Sequence, residues 1–334
     1  MSERERIHYF DVLRVAACFA VIVIHSLGGE LIHYLETQKY FVRIFIDSTT
    51  RFCVPAFLMI SGAIYLSRDI RCDLRYYWKI FYNYVVPTFA GLALMKFVDL
   101  LRSPDQNLFR GVFYDVFSST ALHLWFMWMY IGIVLCLPIL SAISRDKKTE
   151  MFFILAWFFF TSCVETMKLF NVQFPVENPL FFKYTGYFFL GHYLHSYVTI
   201  KNRALLVGLA LASYASIALL TIASCRETQS YIKFFVEAPS PVAPIYSVFI
   251  FLLCKTVFTR DVAVFRFMAQ FTLFIYIVHF PILKIARYLF VSQGFESTNF
   301  SDAILLPSLV FLVSLLAAWS FSWVRRPFSA LVRL

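Results

Sequence analysis

Apolar runs of about 20 residues, each bounded by short polar or basic stretches, recur from one end of the chain to the other. A helix of that length rises roughly 30 Å, the thickness of a hydrocarbon layer, and satisfies its own backbone polar groups there. The pattern predicts ten spans, at about 8–27, 43–66, 78–100, 122–143, 151–170, 179–198, 204–224, 242–258, 267–290 and 304–324. No internal repeat, low-complexity tract or long linker interrupts the succession. Residues 1–334 therefore read as a single domain, an all-α polytopic membrane bundle.

Composition strengthens this picture. The chain is 60% hydrophobic and only 15% charged, against roughly 25% charged in ordinary soluble domains. Its 40 Phe and 19 Tyr exceed what one soluble core could hide. A net charge of +10 would suit a nucleic-acid partner in a soluble protein. Here the basic residues fall mainly in short loops between spans, where the positive-inside rule accounts for them, and no nucleic acid is expected. With the N-terminus inside, seventeen Lys and Arg fall on the inner side, among them Arg68, Arg71, Arg75, Lys79, Arg145, Lys147 and Lys148. Ten fall on outer segments that are also longer, so N-in and C-in is the predicted orientation. The basic N-terminus precedes an apolar stretch without a small-residue cleavage pattern, which reads as a retained first helix. The seven cysteines contain no CxxC, and five of them lie in apolar runs, which argues against a disulfide framework or a zinc site.

Ionisable side chains inside spans cost a few kcal/mol each, so each one is a candidate for function. The first span carries Asp11, Arg14 and His25. Eleven residues of helix advance about three turns plus 20°, which puts Arg14 and His25 on one face, roughly 16 Å apart along the axis. Asp11, three residues before Arg14, lies on the same stripe within ion-pair reach. A purely structural arrangement, with an interfacial Asp11–Arg14 pair and His25 bonding a neighbouring helix, fits the spacing equally well. In the second span Arg51 lies about 12 Å beyond Arg43, too deep to snorkel, and calls for Asp47 or an anionic ligand as partner; Pro55 can kink the helix beside it. The fourth span opens with His123 and Trp125, and the ninth carries Tyr276 and His279 ahead of Pro281. His192 and His195 have the i,i+3 spacing of a ligand pair but no acid near them in sequence, and no metal is expected.

These landmarks, in order, resemble the acyltransferase-3 family of integral-membrane O-acyltransferases. Asp11-Val12-Leu13-Arg14 with His25 matches that family's D-x-x-R opening and Arg-x10-His spacing. Arg51, Val54, Pro55, Phe57, Ser61 and Gly62 match its second-helix R-x-x-V-P-x-F…S-G pattern. Weaker signatures follow in Leu124-Trp125-Phe126, Tyr187-Phe188-Phe189-Leu190-Gly191 and Tyr276-Ile277-Val278-His279-Phe280-Pro281. The chain departs from the family in having Phe271, Leu273 and Phe274 where Ser or Gly is common, and Arg325-Arg326-Pro327 where a Glu-Lys-Pro-like ending is common.

The resemblance implies transfer of an acyl group, usually acetyl, from cytoplasmic acyl-CoA to a hydroxyl of a cell-envelope glycan or lipid-linked sugar, in a bacterial cytoplasmic (inner) membrane. Acetyl-CoA is the implied donor, and no metal is implied. His25 would be the general base, an imidazole being suited to deprotonating a hydroxyl near neutral pH. Arg14, partnered by Asp11, would orient the donor, and Arg51 would hold donor phosphate or stabilise the oxyanion. His279, His123, Trp125 and Tyr276 are the candidates for contacting the acceptor. The alternative is a secondary transporter or flippase for a glycan or lipid-linked sugar, which intramembrane charges and Pro-broken helices also suit. A non-catalytic scaffold leaves the Arg14/His25 stripe without a purpose.

Overall fold

In the computed structural model, described for residues 6–27, 38–68, 70, 72–102, 123–168, 180–228, 232–237, 240–295 and 298–329, every regular element is helical. Among the basic residues expected at the two faces, Arg4, Arg71, Arg110 and Arg333 lie outside the described residues.

Each of the ten expected runs is occupied by helix. In chain order these are α1 (His8–Leu27); α2 (Gln38–Thr50) with α3 (Cys53–Tyr65); α4 (Leu74–Ile80) with α5 (Val86–Arg102); and α6 (Trp125–Leu135) with α7 (Leu137–Ile143). There follow α8 (Lys147–Phe158) with α9 (Val164–Lys168), α10 (Leu180–Tyr197), α11 (Arg203–Thr228), α12 (Val242–Val257), α13 (Ala263–Ala269), α14 (Thr272–Ser292) and α15 (Leu306–Ser329). Among the described residues, seven helical stretches are long and apolar enough to cross a membrane, or eight if the bent α6–α7 pair is one span. The expected count of ten is reached only if α10 and the shorter apolar α12 cross as well.

Prolines stand at several of the breaks within the runs, though not at the π-helical turn Phe159–Cys163 or between Ala269 and Thr272. The run expected at 43–66 divides at Arg51 and Phe52, one turn before Pro55, which has no N–H to offer the Arg51 carbonyl. The run at 122–143 bends by 64° between α6 and α7. Pro138, in the first turn of α7, releases the carbonyl of Val134, and the Tyr76 hydroxyl donates to that carbonyl instead. The π-helical turns Phe81–Val85 and Ser301–Leu305 stand immediately before Pro87 and Pro307.

The first helix is central. Of its apolar window 72% is buried, against 28–56% for the other six long spans, and it packs against α2, α3, α12, α13, α14 and α15. A helix that is apolar on nearly all sides belongs in the middle of a bundle. Peripheral helices turn Ile139, Phe152, Leu219 and Leu316 outward, as a lipid-facing surface requires.

The closest helix pair is α3 with α10. A Cβ on Gly62 would lie 2.0 Å from the Phe188 carbonyl oxygen, and one on Gly191 would lie 2.0 Å from that of Met59. Each glycine is the space into which the other helix's backbone fits, the small-residue packing usual where apolar burial between helices drives little.

Segments expected on the same side meet one another. On the side expected inside, Arg6 donates to the Arg266 carbonyl, Ser144 to that of Leu66 and Arg203 to that of Thr256. Lys255 Nζ holds the carbonyls of Leu194, His195 and Val198 at 2.7–3.0 Å. At the other end Arg43, 1% exposed, pairs with Asp302 at 2.6 Å, and Lys284 pairs with Asp99 at 2.8 Å.

Candidate functional site

The side chains of α1 sort by depth. Asp11 sits in the first turn, buried, and takes both arms of Arg6: Nε to Oδ2 at 2.6 Å and Nη2 to Oδ1 at 3.1 Å. Arg6 precedes the helix, so its chain is free to fold back over the first turn. The hydrogen bond that Arg6 donates to Asp11 raises the Arg6 pKa above its already high ordinary value. This corrects the expected Asp11–Arg14 pair. Among the described residues Arg14 makes no ion pair or hydrogen bond, and its side chain faces open space.

Three cavities that share lining residues make up the described part of that space. A wide cavity of about 1140 Å³ is lined by Arg6, Asp11, Arg14, Ser67, Arg68 and Gln270. A narrower chamber of about 360 Å³ continues inward from Arg14 and Gln270, walled by Phe57, Ser61, Tyr65, Tyr84, Tyr130 and Tyr276. A third recess of about 470 Å³, with Arg68, Arg75, Lys79 and Asn83 in its lining, shares Tyr65 and Tyr84 with the chamber. The surroundings thus pass from cationic at the mouth to aromatic within. The chamber hydroxyls are organised among themselves: Tyr65 and Tyr84 are 3.0 Å apart, and Tyr130 bonds Ser61 at 3.1 Å. Ser61 in turn donates to the Phe57 carbonyl at 2.8 Å.

Tyr276 leads from the chamber to a group of imidazoles. Its hydroxyl donates to the His123 carbonyl, and His279 stands on the next turn of the same helix. The ring centroids of His25 and His279 are 5.3 Å apart, and those of His279 and His123 are 6.1 Å apart. Phe280 fits between them, stacked on His123 at 4.6 Å and edge-on to His25 at 5.2 Å. His123 and His279 are fully enclosed, while His25 keeps some exposure. Three spans far apart in sequence therefore bring their histidines to one place. Among the described residues no group of three His, Cys, Asp or Glu is arranged to hold a metal ion.

The remaining candidates lie nearby or elsewhere. Arg51 pairs with Asp47 one turn back, the partner expected for it. Trp125 packs on Tyr184 at 5.3 Å and does not line the three cavities. His192 does have an acid, contrary to the sequence reading: Glu150 Oε1 lies 2.7 Å from its Nδ1, both side chains buried. His195 bonds the Tyr9 hydroxyl at 2.7 Å and lines the wide cavity with Arg6, Asp11 and Arg14. Of the chamber tyrosines Tyr276 is a sequence candidate, whereas Tyr65, Tyr84 and Tyr130, together with Gln270, escaped the sequence reading. Their only signal there was a set of hydroxyls and one amide at the ends of spans, which interfacial anchors share.

A family model described as an acyltransferase domain, Acyl_transf_3, matches residues 7–323, nearly the whole chain. No curated protein and no solved structure matches it.

Proposed function

The chain belongs to the acyltransferase-3 family, and from that membership we propose that it moves an acetyl group from cytoplasmic acetyl-CoA to a hydroxyl of a cell-envelope glycan or lipid-linked sugar. The observation that carries this reading is Arg14: among the described residues a guanidinium with no ion pair or hydrogen bond, where a basic cavity meets an aromatic chamber whose Tyr276 lies one turn before His279, the neighbour of His25. An unpaired cation at that depth is costly unless an anion visits it. Coenzyme A brings phosphates suited to Arg14, to Arg68 at the mouth and to Arg75 and Lys79 of the third recess, and an uncharged pantetheine arm suited to the chamber.

The chemistry asked of the protein is modest because a thioester is already activated. The acceptor hydroxyl oxygen attacks the thioester carbonyl carbon while a ring nitrogen of His25 takes its proton. A C–O bond forms, the C–S bond breaks, and the imidazolium returns the proton to the leaving thiolate. Arg14 and the basic mouth hold the donor, His123 and Tyr276 face the acceptor end, and the bacterial inner membrane is the setting. The test is turnover: purified protein in lipid, given labelled acetyl-CoA and an acceptor sugar, releases free CoA and yields acetylated sugar. A protein that moves sugar across vesicles without consuming acetyl-CoA is instead a transporter.

A further inference from the structure

His279 is fully enclosed, and its Nδ1 lies 2.5 Å from the carbonyl oxygen of Tyr276. A carbonyl only accepts, so Nδ1 carries the proton and Nε2 is left as a bare lone pair. That Nε2 is buried and, among the described residues, no donor bonds it. Buried polar atoms without partners are few in folded proteins, and each one calls for an explanation. The nearest imidazole is that of His25, at 5.3 Å between ring centroids and 38° between planes. This is close to the separation of two imidazoles joined by a single N–H···N bond.

Among the described residues, the charged side chains that stand nearest the histidine group are cations. Arg51 is held by Asp47 and Lys284 by Asp99, and both are cations. Arg287 is a donor committed to the Ser26 carbonyl. Phe280 covers one face of the His25 ring, and His123 stacks on the far side of that phenyl ring.

We propose that His279 is a positioning residue for acyl transfer: the two rings stand near enough that a turn of the His25 ring brings its N–H to the bare Nε2 of His279, a bond that fixes the His25 tautomer and leaves the second His25 nitrogen to take the hydroxyl proton. The chain runs from His25 through His279 to the Tyr276 carbonyl, so the base is held by a neutral group rather than by the carboxylate more often found behind a catalytic histidine. Tyr276 thereby serves twice, through its hydroxyl at the His123 carbonyl and through its own carbonyl at His279. The proposal rests on His25 being the base.

Four purified variants, His25→Ala, His279→Ala, His279→Gln and His279→Leu, assayed beside the wild type with labelled acetyl-CoA, test it. A misdirected base costs on the order of a hundredfold in rate, so His279→Ala and His279→Leu lower kcat by that factor with KM for donor and acceptor unchanged. His279→Gln, whose amide oxygen accepts the N–H, recovers much of the loss. Where His279→Ala fails to insert, the Gln and Leu variants carry the comparison, since both fill the site. Wild-type kcat in His279→Ala, or equal kcat in the Gln and Leu variants, overturns the proposal while leaving His25 as base. No transfer by the wild type, or full turnover by His25→Ala, instead removes the reading of the site on which the proposal stands.

Discussion

Arg14→Lys keeps a positive charge where the wide cavity meets the chamber but loses the planar fork that fits phosphate. Hydrogen bonds to charged groups contribute about 1.5–3 kcal/mol, so KM for acetyl-CoA rises about ten- to a hundredfold while kcat moves less. Arg14→Ala raises it further. Unchanged KM with reduced protein abundance would make Arg14 a structural residue. Because Asp11 belongs to Arg6, the Arg14 variants leave no carboxylate stranded. The destabilising change is Arg6→Ala, which strips the partner from a buried Asp11 and lowers the amount of folded protein; Asp11→Asn in the same chain restores part of it. The Arg14/His25 stripe was legible in the sequence because both residues sit on one helix, where arithmetic places side chains. The Arg6–Asp11 clasp was not, because Arg6 lies before the helix and no periodicity governs it. Nor was Glu150 beside His192, since a contact between different helices depends on packing that spacing along one chain does not encode.

At the scale of elements, two of the motifs behind the family resemblance find a mechanical explanation. Ser61-Gly62 and Leu190-Gly191 are the two halves of one crossing, where α3 and α10 touch backbone to backbone. Gly62→Ala or Gly191→Ala therefore pushes a methyl group into a main-chain carbonyl that has nowhere to go. The cost is at least the roughly 1–3 kcal/mol of ordinary overpacking, read as a lower melting temperature of the detergent-purified protein. Gly208, with nothing near it, tolerates alanine and serves as the control. The ten helical runs were visible as hydrophobic stretches. Some internal breaks were visible only as prolines, because whether a proline bends a helix or merely begins one depends on what satisfies the released carbonyl; the break at Phe159–Cys163 carries no such mark. At Val134 that partner is Tyr76, from a different helix.

For the whole molecule, the proposed reaction ties donor to orientation: if the donor arrives from the cytoplasm, the Arg14 end of the cavities must face that side. Reporters fused after Arg75, Lys148 and Arg333 are expected in the cytoplasm, and reporters near Gln106 and Glu227 on the opposite side. If the fusions at 106 and 148 reported the same side, the succession of ten spans would be wrong. The hydrogen bonds among segments on the expected inner side are what alternating spans would produce, and basic residues cluster there. The most direct test of the account is mass spectrometry of envelope glycans from cells that lack the protein, carry the wild type, or carry a well-inserted His25→Ala variant. The account predicts a gained acetyl mass on a sugar with the wild type alone. Glycans identical in all three, or acetylated to the same extent with His25→Ala as with the wild type, would contradict it.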